Sequence, residues 1–122
     1  MENMDQLVGF SHPMLYVNDF ARAVRWYQDV LGFKVRHESP GAYASLYHEK
    51  MKFRLDLHPS EADSKDVGFG PILYFATSNI DHTLTSLRER GVKVSEARRE
   101  GGSPRFASFW DCEGNTLGLE EK

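Results

Sequence analysis

The chain repeats itself, and no other property constrains its fold as much. His12-Pro13-Met14-Leu15-Tyr16 aligns with Gly70-Pro71-Ile72-Leu73-Tyr74. Gly32-Phe33-Lys34-Val35 aligns with Gly91-Val92-Lys93-Val94, and Arg54-Leu55-Asp56-Leu57 with Thr116-Leu117-Gly118-Leu119. The spacing between partners drifts by a few residues, as loop insertions cause. Self-similarity with the same order of elements is the mark of one supersecondary unit used twice.

The unit can be read from local pattern. Residues 11–17 read as a strand. Asn18 or Asp19 caps a helix in which Phe20, Ala23, Val24, Tyr27, Val30 and Leu31 fall at helical spacing. Gly32 sits where a left-handed stop belongs. Residues 33–37, 42–47 and 52–58 read as strands, broken by Ser39-Pro40-Gly41 and His48-Glu49-Lys50. The order is βαβββ. A polar, aperiodic stretch over 59–69 reads as a linker. The pattern then restarts with a strand over 71–76 and a helix capped by Ser78 or Asn79. That helix carries Ile80, Leu84 and Leu87 and is closed by Gly91. Strands over 92–97, 106–110 and 115–120 complete the second copy, the last two flanking the turn Asp111-Cys112-Glu113-Gly114. The expected organisation is one domain over 1–122: a first module over about 10–58, a linker over about 59–69 and a second module over about 70–120. Each module approaches the size at which a domain becomes marginal alone, so the two are expected to share an interface.

Composition narrows the class. With 122 residues, 40% hydrophobic and 27% charged, the chain is not disordered overall. No apolar run approaches the ~18 residues of a membrane span. The opening MENMDQ lacks a basic region followed by an apolar stretch, so no secretory signal is expected. The lone Cys112 excludes an intrachain disulfide and a CxxC motif, and a cytoplasmic location is the default. Fifteen basic against eighteen acidic residues, a net charge of −3, argue against nucleic acid as a partner.

Strand side chains alternate between faces. Leu15 and Val17, Phe53, Leu55 and Leu57, Leu73 and Phe75, and Leu117 and Leu119 form apolar faces to be buried under the two helices. The opposite parity holds His12, Met14 and Tyr16; Arg54, Asp56 and His58; Ile72 and Tyr74; Thr116, Gly118 and Glu120. A curved sheet with this mixed polar and aromatic face suits a small polar ligand.

These residues resemble the vicinal oxygen chelate superfamily, which includes glyoxalase I, the bleomycin- and fosfomycin-resistance proteins and the extradiol dioxygenases. The resemblance lies in 12–33 (HPMLYVNDFARAVRWYQDVLGF), 80–94 (IDHTLTSLRERGVKV) and 109–119 (FWDCEGNTLGL). The 111–115 turn is similar to the family's aspartate-proline-aspartate-glycine-asparagine turn, with Cys112 and Glu113 substituted. The resemblance implies an α+β fold of two βαβββ modules forming an incomplete barrel around a cleft. It also implies a homodimer, with modules paired across subunits in some members. Metal-dependent members hold a divalent ion with one ligand from the first and one from the last strand of each module. Carried over, the first module supplies His12 and Asp56. The second supplies Gly70 (or Pro71 or Ile72) and Gly118, none of which has a ligating side chain. A catalytic centre needs about three protein ligands. His58 and Glu120 lie two residues further along their strands, so His12, Asp56, His58 and Glu120 define a displaced alternative, with nearly 7 Å of strand rise against it.

Plainer roles stand beside these. Asp56 has Arg54 or His58 as an ion-pair partner, His58 reads equally as an exposed strand end, and Glu120 as a solvated residue. Trp26 and Tyr27 fit core or dimer packing. The face of Trp110 is open, since both parities of its strand hold a phenylalanine. His37, His48 and His82 read as surface residues, and Cys112 has no neighbouring base to make it a nucleophile. The expected function is binding of a small organic molecule in a cleft lined by His12, Tyr16, Arg54, Asp56, His58, Tyr74 and Trp110. No cofactor, nucleic acid or membrane is expected. Arg54, with His12 or His58, suits an anionic group, and the aromatics supply stacking area. The alternative is a metal-dependent lyase, isomerase or dioxygenase with His12 and Asp56 as ligands, joined by His58 or Glu120.

Overall fold

The computed structural model describes residues 6, 8–60, 67 and 70–122. Much of the expected 59–69 linker lies outside the described residues. The first copy runs β1 (Met14–Val17), α1 (Phe20–Asp29), β2 (Lys34–Ser39), β3 (Tyr43–His48) and β4 (Phe53–Pro59). The second runs β5 (Leu73–Thr77), α2 (Ile80–Glu89), β6 (Phe106–Trp110) and β7 (Thr116–Glu121). The strands form two sheets, ordered β1-β4-β3-β2 and β5-β7-β6. In each, the strand before the helix pairs in parallel with the last strand of its copy. The sheets do not close into a barrel, and no described helix is long and apolar enough to cross a membrane.

Both helices start as the sequence predicts. The side chain of Asp19 accepts from Arg22 N at 3.2 Å and that of Asn79 from His82 N at 3.0 Å, satisfying one orphan donor at each end. A second carboxylate serves each start from further along the chain. Glu113 accepts from the N–H groups of Asn18 and Asp19, and Glu121 from Ile80 N. Gly32 and Gly91 follow their helices at φ of +81° and +79°, a conformation that penalises any Cβ.

The expected strand over 92–97 is not a ladder. The segment runs beside β6, held by isolated bridges at Val94–Phe109 and Arg98–Phe106. The reason is local: the Ser95 hydroxyl accepts from Ser108 N at 2.8 Å, so a side chain takes a donor that an extended ladder would use.

One core serves both copies. Val17, Leu46, Leu55 and Leu57 of the first sheet lie buried with Ala23, Val24 and Tyr27 of α1. They join Leu84 and Leu87 of α2 and Phe109, Leu117 and Leu119 of the second sheet in the same cluster. Phe53 meets Phe75 edge to face across the seam, ring centres 5.9 Å apart. Tyr27 crosses the seam too, donating its hydroxyl to Asp111 Oδ2 at 2.6 Å. Burial, and then the Asp111 charge, raise the Tyr27 pKa well above that of a free tyrosine. Both sheets thus turn their apolar faces to a common core, and their polar faces point away from it. Met14, Tyr16, Ile72 and Tyr74 on those faces stay substantially exposed.

Candidate functional site

The polar face of the first sheet is built on β4, where Arg54, Asp56 and His58 project at alternate positions. Register sets their neighbours. Asp56 lies between Met14 of β1 and Ser45 of β3, and His58 lies beside Tyr16. Asp56 is the hub and is almost fully buried, its side chain 4% exposed. Arg54 grips it with two parallel bonds, Nε to Oδ1 and Nη2 to Oδ2, each 3.0 Å. His12 Nε2 lies 3.2 Å from Oδ2, and the Ser45 hydroxyl also bonds the carboxylate. Arg36, at the β2 bulge, reaches Ser45 Oγ at 3.1 Å. Burial alone would raise the Asp56 pKa. The hydrogen bonds from Arg54 and Ser45, together with the His12 and Arg54 charges, outweigh it and hold the carboxyl below its ordinary value. Two guanidinium groups thus share the face with one engaged carboxylate, and the local field favours an anion.

Aromatic rings border this group. Tyr43 stacks on His58 with centres 5.6 Å apart and an interplanar angle of 18°, and His37 lies 5.5 Å from Tyr43. Ser45, Tyr43, His37 and Arg36 were missed by the sequence reading. Alternation in β3 was the available signal, since Tyr43, Ser45 and Tyr47 alternate with the buried Ala44 and Leu46. His48, read as a surface residue, is half-buried, its ring edge-on to Phe33 at 5.3 Å.

The second sheet presents a different surface. Tyr74, Gly118 and Ser108 form one row across β5, β7 and β6, with Thr116 and Trp110 in the next. Trp110 therefore shares the polar face, and Lys93 Nζ sits 4.9 Å over its ring. The Tyr74 ring lies directly on Gly118. A Cβ at Gly118 would stand 2.5 Å from Tyr74 Cδ2 and Cε2 and 2.8 Å from Cγ. The far side of the ring remains open, Tyr74 being 52% exposed. Glu120 is exposed at the strand end, two residues beyond Gly118. The structure thus joins His12, Arg54 and Asp56 in one bonded group with Tyr16 and His58 alongside. Tyr74 and Trp110 belong to the face of the other sheet.

A family model described as Glyoxalase/Bleomycin resistance protein/Dioxygenase superfamily matches residues 9–119. The chain belongs to this superfamily. Among solved structures, the superfamily fold here is similar to that of FosX, a genomically encoded fosfomycin resistance protein from Listeria monocytogenes complexed with Mn(II) and sulfate. The two are 18% identical over 94% of this chain and 90% of that one, with a TM-score of 0.76. It is similar to TnmS3, an antibiotic binding protein from Streptomyces sp. CB03234, at 23% identity, 93% and 96% coverage and a TM-score of 0.72. It is also similar to lactoylglutathione lyase from Agrobacterium tumefaciens, at 20% identity, 93% and 94% coverage and a TM-score of 0.70. At these identities the likeness is one of fold. No curated protein matches the sequence.

The donor set does not fit a divalent ion of the family type. Both oxygens of Asp56 are engaged by Arg54, and a guanidinium beside a metal would repel it. Gly118 offers no donor, and the Tyr74 ring fills the space a side chain there would use. Among the described residues, no three His, Cys, Asp or Glu side chains converge. Cys112 adds no nucleophile: burial, then the Asp111 charge, push its thiol up to about 11.

Proposed function

We propose that this superfamily member binds a small organic anion with a planar ring, in the cytoplasm, as a homodimer, and without the metal of its enzymatic relatives. The observation that carries the proposal is the Tyr74 ring lying on Gly118. It turns a position that holds a metal ligand in metal-dependent members into a flat, half-exposed stacking surface. The Arg54–Asp56–His12 group on the other sheet supplies the polar half. Arg54, its position fixed by Asp56, donates to the anionic group of the ligand, while Tyr16, His58 and Trp110 add area. The similar fold of TnmS3, an antibiotic binding protein, is in keeping with this reading.

The directions of the faces support the dimer. Both sheets bury their apolar faces in one core, so the polar half and the stacking half do not face each other within a chain. They meet when the first sheet of one protomer closes over the second sheet of its partner, which covers Met14, Tyr16, Ile72 and Tyr74.

The test is a thermal-shift panel of aryl carboxylates, aryl phosphonates and neutral aromatics, with retained metal measured by mass spectrometry after equilibration with Mn(II), Zn(II) and Ni(II). The expected result is stabilisation by an anionic aromatic, lost in Arg54→Ala and in Tyr74→Ala. Mixing those two variants should restore part of the binding, because a mixed dimer has one intact cleft. The close approach of His12 to Asp56 is the observation that favours the metal-dependent lyase, isomerase or dioxygenase reading. Near-stoichiometric metal that disappears in His12→Ala would establish that reading and overturn ours.

A further inference from the structure

A cavity of about 490 Å³ opens between α2, the core face of the second sheet and the turn joining β3 to β4. It lies on the opposite side of the second sheet from Tyr74 and Gly118. Its size is that of a small-molecule pocket. Leu31, Phe75, Leu87, Phe109 and Leu119 form its walls. Leu87, Phe109 and Leu119 are core residues, each no more than 5% exposed.

Its two rims differ in chemistry. On one, the hydroxyls of Thr77 and Thr83 lie 2.6 Å apart and bond each other, and Thr83 also donates to Asn79 O, so they are already engaged. On the other stand His48 and Lys50. His48 Nδ1 accepts from Met51 N at 3.2 Å, which in the neutral ring leaves the proton on Nε2. That N–H has no acceptor among the described residues. The neighbouring Glu49 pairs with Lys34 at 3.2 Å, and among the described residues no carboxylate pairs with Lys50. Among the described residues, none that lines the cavity is acidic. Apolar walls with cationic and donor groups at one mouth match an amphiphilic anion.

We propose that this cavity is a second ligand site, separate from the polar sheet faces, for a small apolar molecule bearing a carboxylate. The hydrocarbon packs against Leu31, Met51 and Phe75, over a floor formed by the core residues, and the carboxylate meets Lys50 and His48. The site does not depend on the function proposed for the polar faces. The test is a titration of the full chain with octanoate, followed by amide proton–nitrogen correlation spectra, with octanol as the neutral counterpart. Saturable shifts are expected at the amides of Thr77, Ser78, Thr83 and Leu87, with octanoate binding more tightly than octanol. Lys50→Glu changes an exposed residue and leaves the core intact. It should weaken octanoate roughly threefold or more and leave octanol unchanged. Tyr74→Ala should change neither. Absence of saturable shifts at those four amides would overturn the proposal, as would shifts confined to Tyr16 and Tyr74, or equal octanoate affinity in Lys50→Glu.

Discussion

Gly118→Ala should reverse its effect according to what stands at position 74. In the native chain the new methyl would lie 2.5 Å from two ring atoms of Tyr74 and 2.8 Å from Cγ. Cγ is the root of the ring, so spinning the ring about its own axis does not clear the clash. The whole side chain must swing off the β7 backbone. Overpacking of this kind costs about 1–3 kcal/mol, and a half-exposed ring that can leave belongs at about 1.5. Against this, replacing a strand glycine by alanine stabilises by about 0.5 kcal/mol through the unfolded chain. The expected net loss is about 1 kcal/mol, a fall in melting temperature of roughly 4 °C for a chain of this length. In the Tyr74→Ala background the clash is gone, and the same substitution should stabilise by about 0.5 kcal/mol. The coupling energy is then about 1.5 kcal/mol, well above the scatter of additive pairs. Urea titrations of the four proteins at one concentration would measure it, since association shifts apparent stability. Equal effects in the two backgrounds, or a stabilising Gly118→Ala in the native chain, would refute the stacked ring.

Three further outcomes follow from the structure. The Asp56 carboxyl titrates below its ordinary value when folded, so its stabilisation is fully present above the unfolded pKa and is lost as pH falls through the folded one. Asp56→Asn should therefore lower stability at pH 7 by about 2 kcal/mol and flatten the acid limb of the pH–stability curve; an unchanged limb would argue against the Arg54 fork. Tyr27→Phe removes one bond from Asp111 Oδ2 and leaves Asn115 still donating to it, so urea denaturation should show a loss of about 1.5 kcal/mol. With its thiol raised to about 11, Cys112 should react with a disulfide reagent far more slowly at pH 7 than a free thiol and accelerate steadily to pH 10, whereas a fast reaction at pH 7 would show a thiolate.

Much of the fold was legible because its signals are local. Both helices begin at Asp19 and Asn79, each offered with one alternative, and both are followed by the expected glycine. The strand parities in β4 and β7 identified the apolar faces, since a period of two leaves few alternatives once a core is required. The segment over 92–97 was misread because its composition suits a strand, whereas one hydroxyl, Ser95 Oγ, decides its pairing. Trp110 could not be given a face from sequence, because Phe106 and Phe109 lie on opposite parities; the register with β7 settles it. The candidate site was partly legible for the same reason. His12, Arg54 and Asp56 are close in parity and strand position, whereas Ser45 and Arg36 reach the group only through the β3 register and the β2 bulge. Gly118 shows the limit most clearly. In the sequence it is a missing donor. In three dimensions it is the floor under Tyr74, a residue distant in sequence and placed there by a parallel ladder.

The turn at 111–115 connects these observations. Asp111 is buried, and its Oδ1 accepts from Glu113 N and Asn115 N while its Oδ2 accepts from Asn115 Nδ2 and the Tyr27 hydroxyl. With both oxygens engaged, it is suited to a structural task. The next acidic residue in the turn, Glu113, satisfies the N–H groups at the start of α1. One short turn of the second copy therefore holds the first helix at its start and at Tyr27. This fixes α1 against the second copy and places both apolar faces in a single core. A chain locked in this way cannot bring its own polar faces together without breaking that core, which is the largest favourable term in its folding. The same bonds that make one chain stable therefore favour the proposal that the ligand cleft lies between two chains.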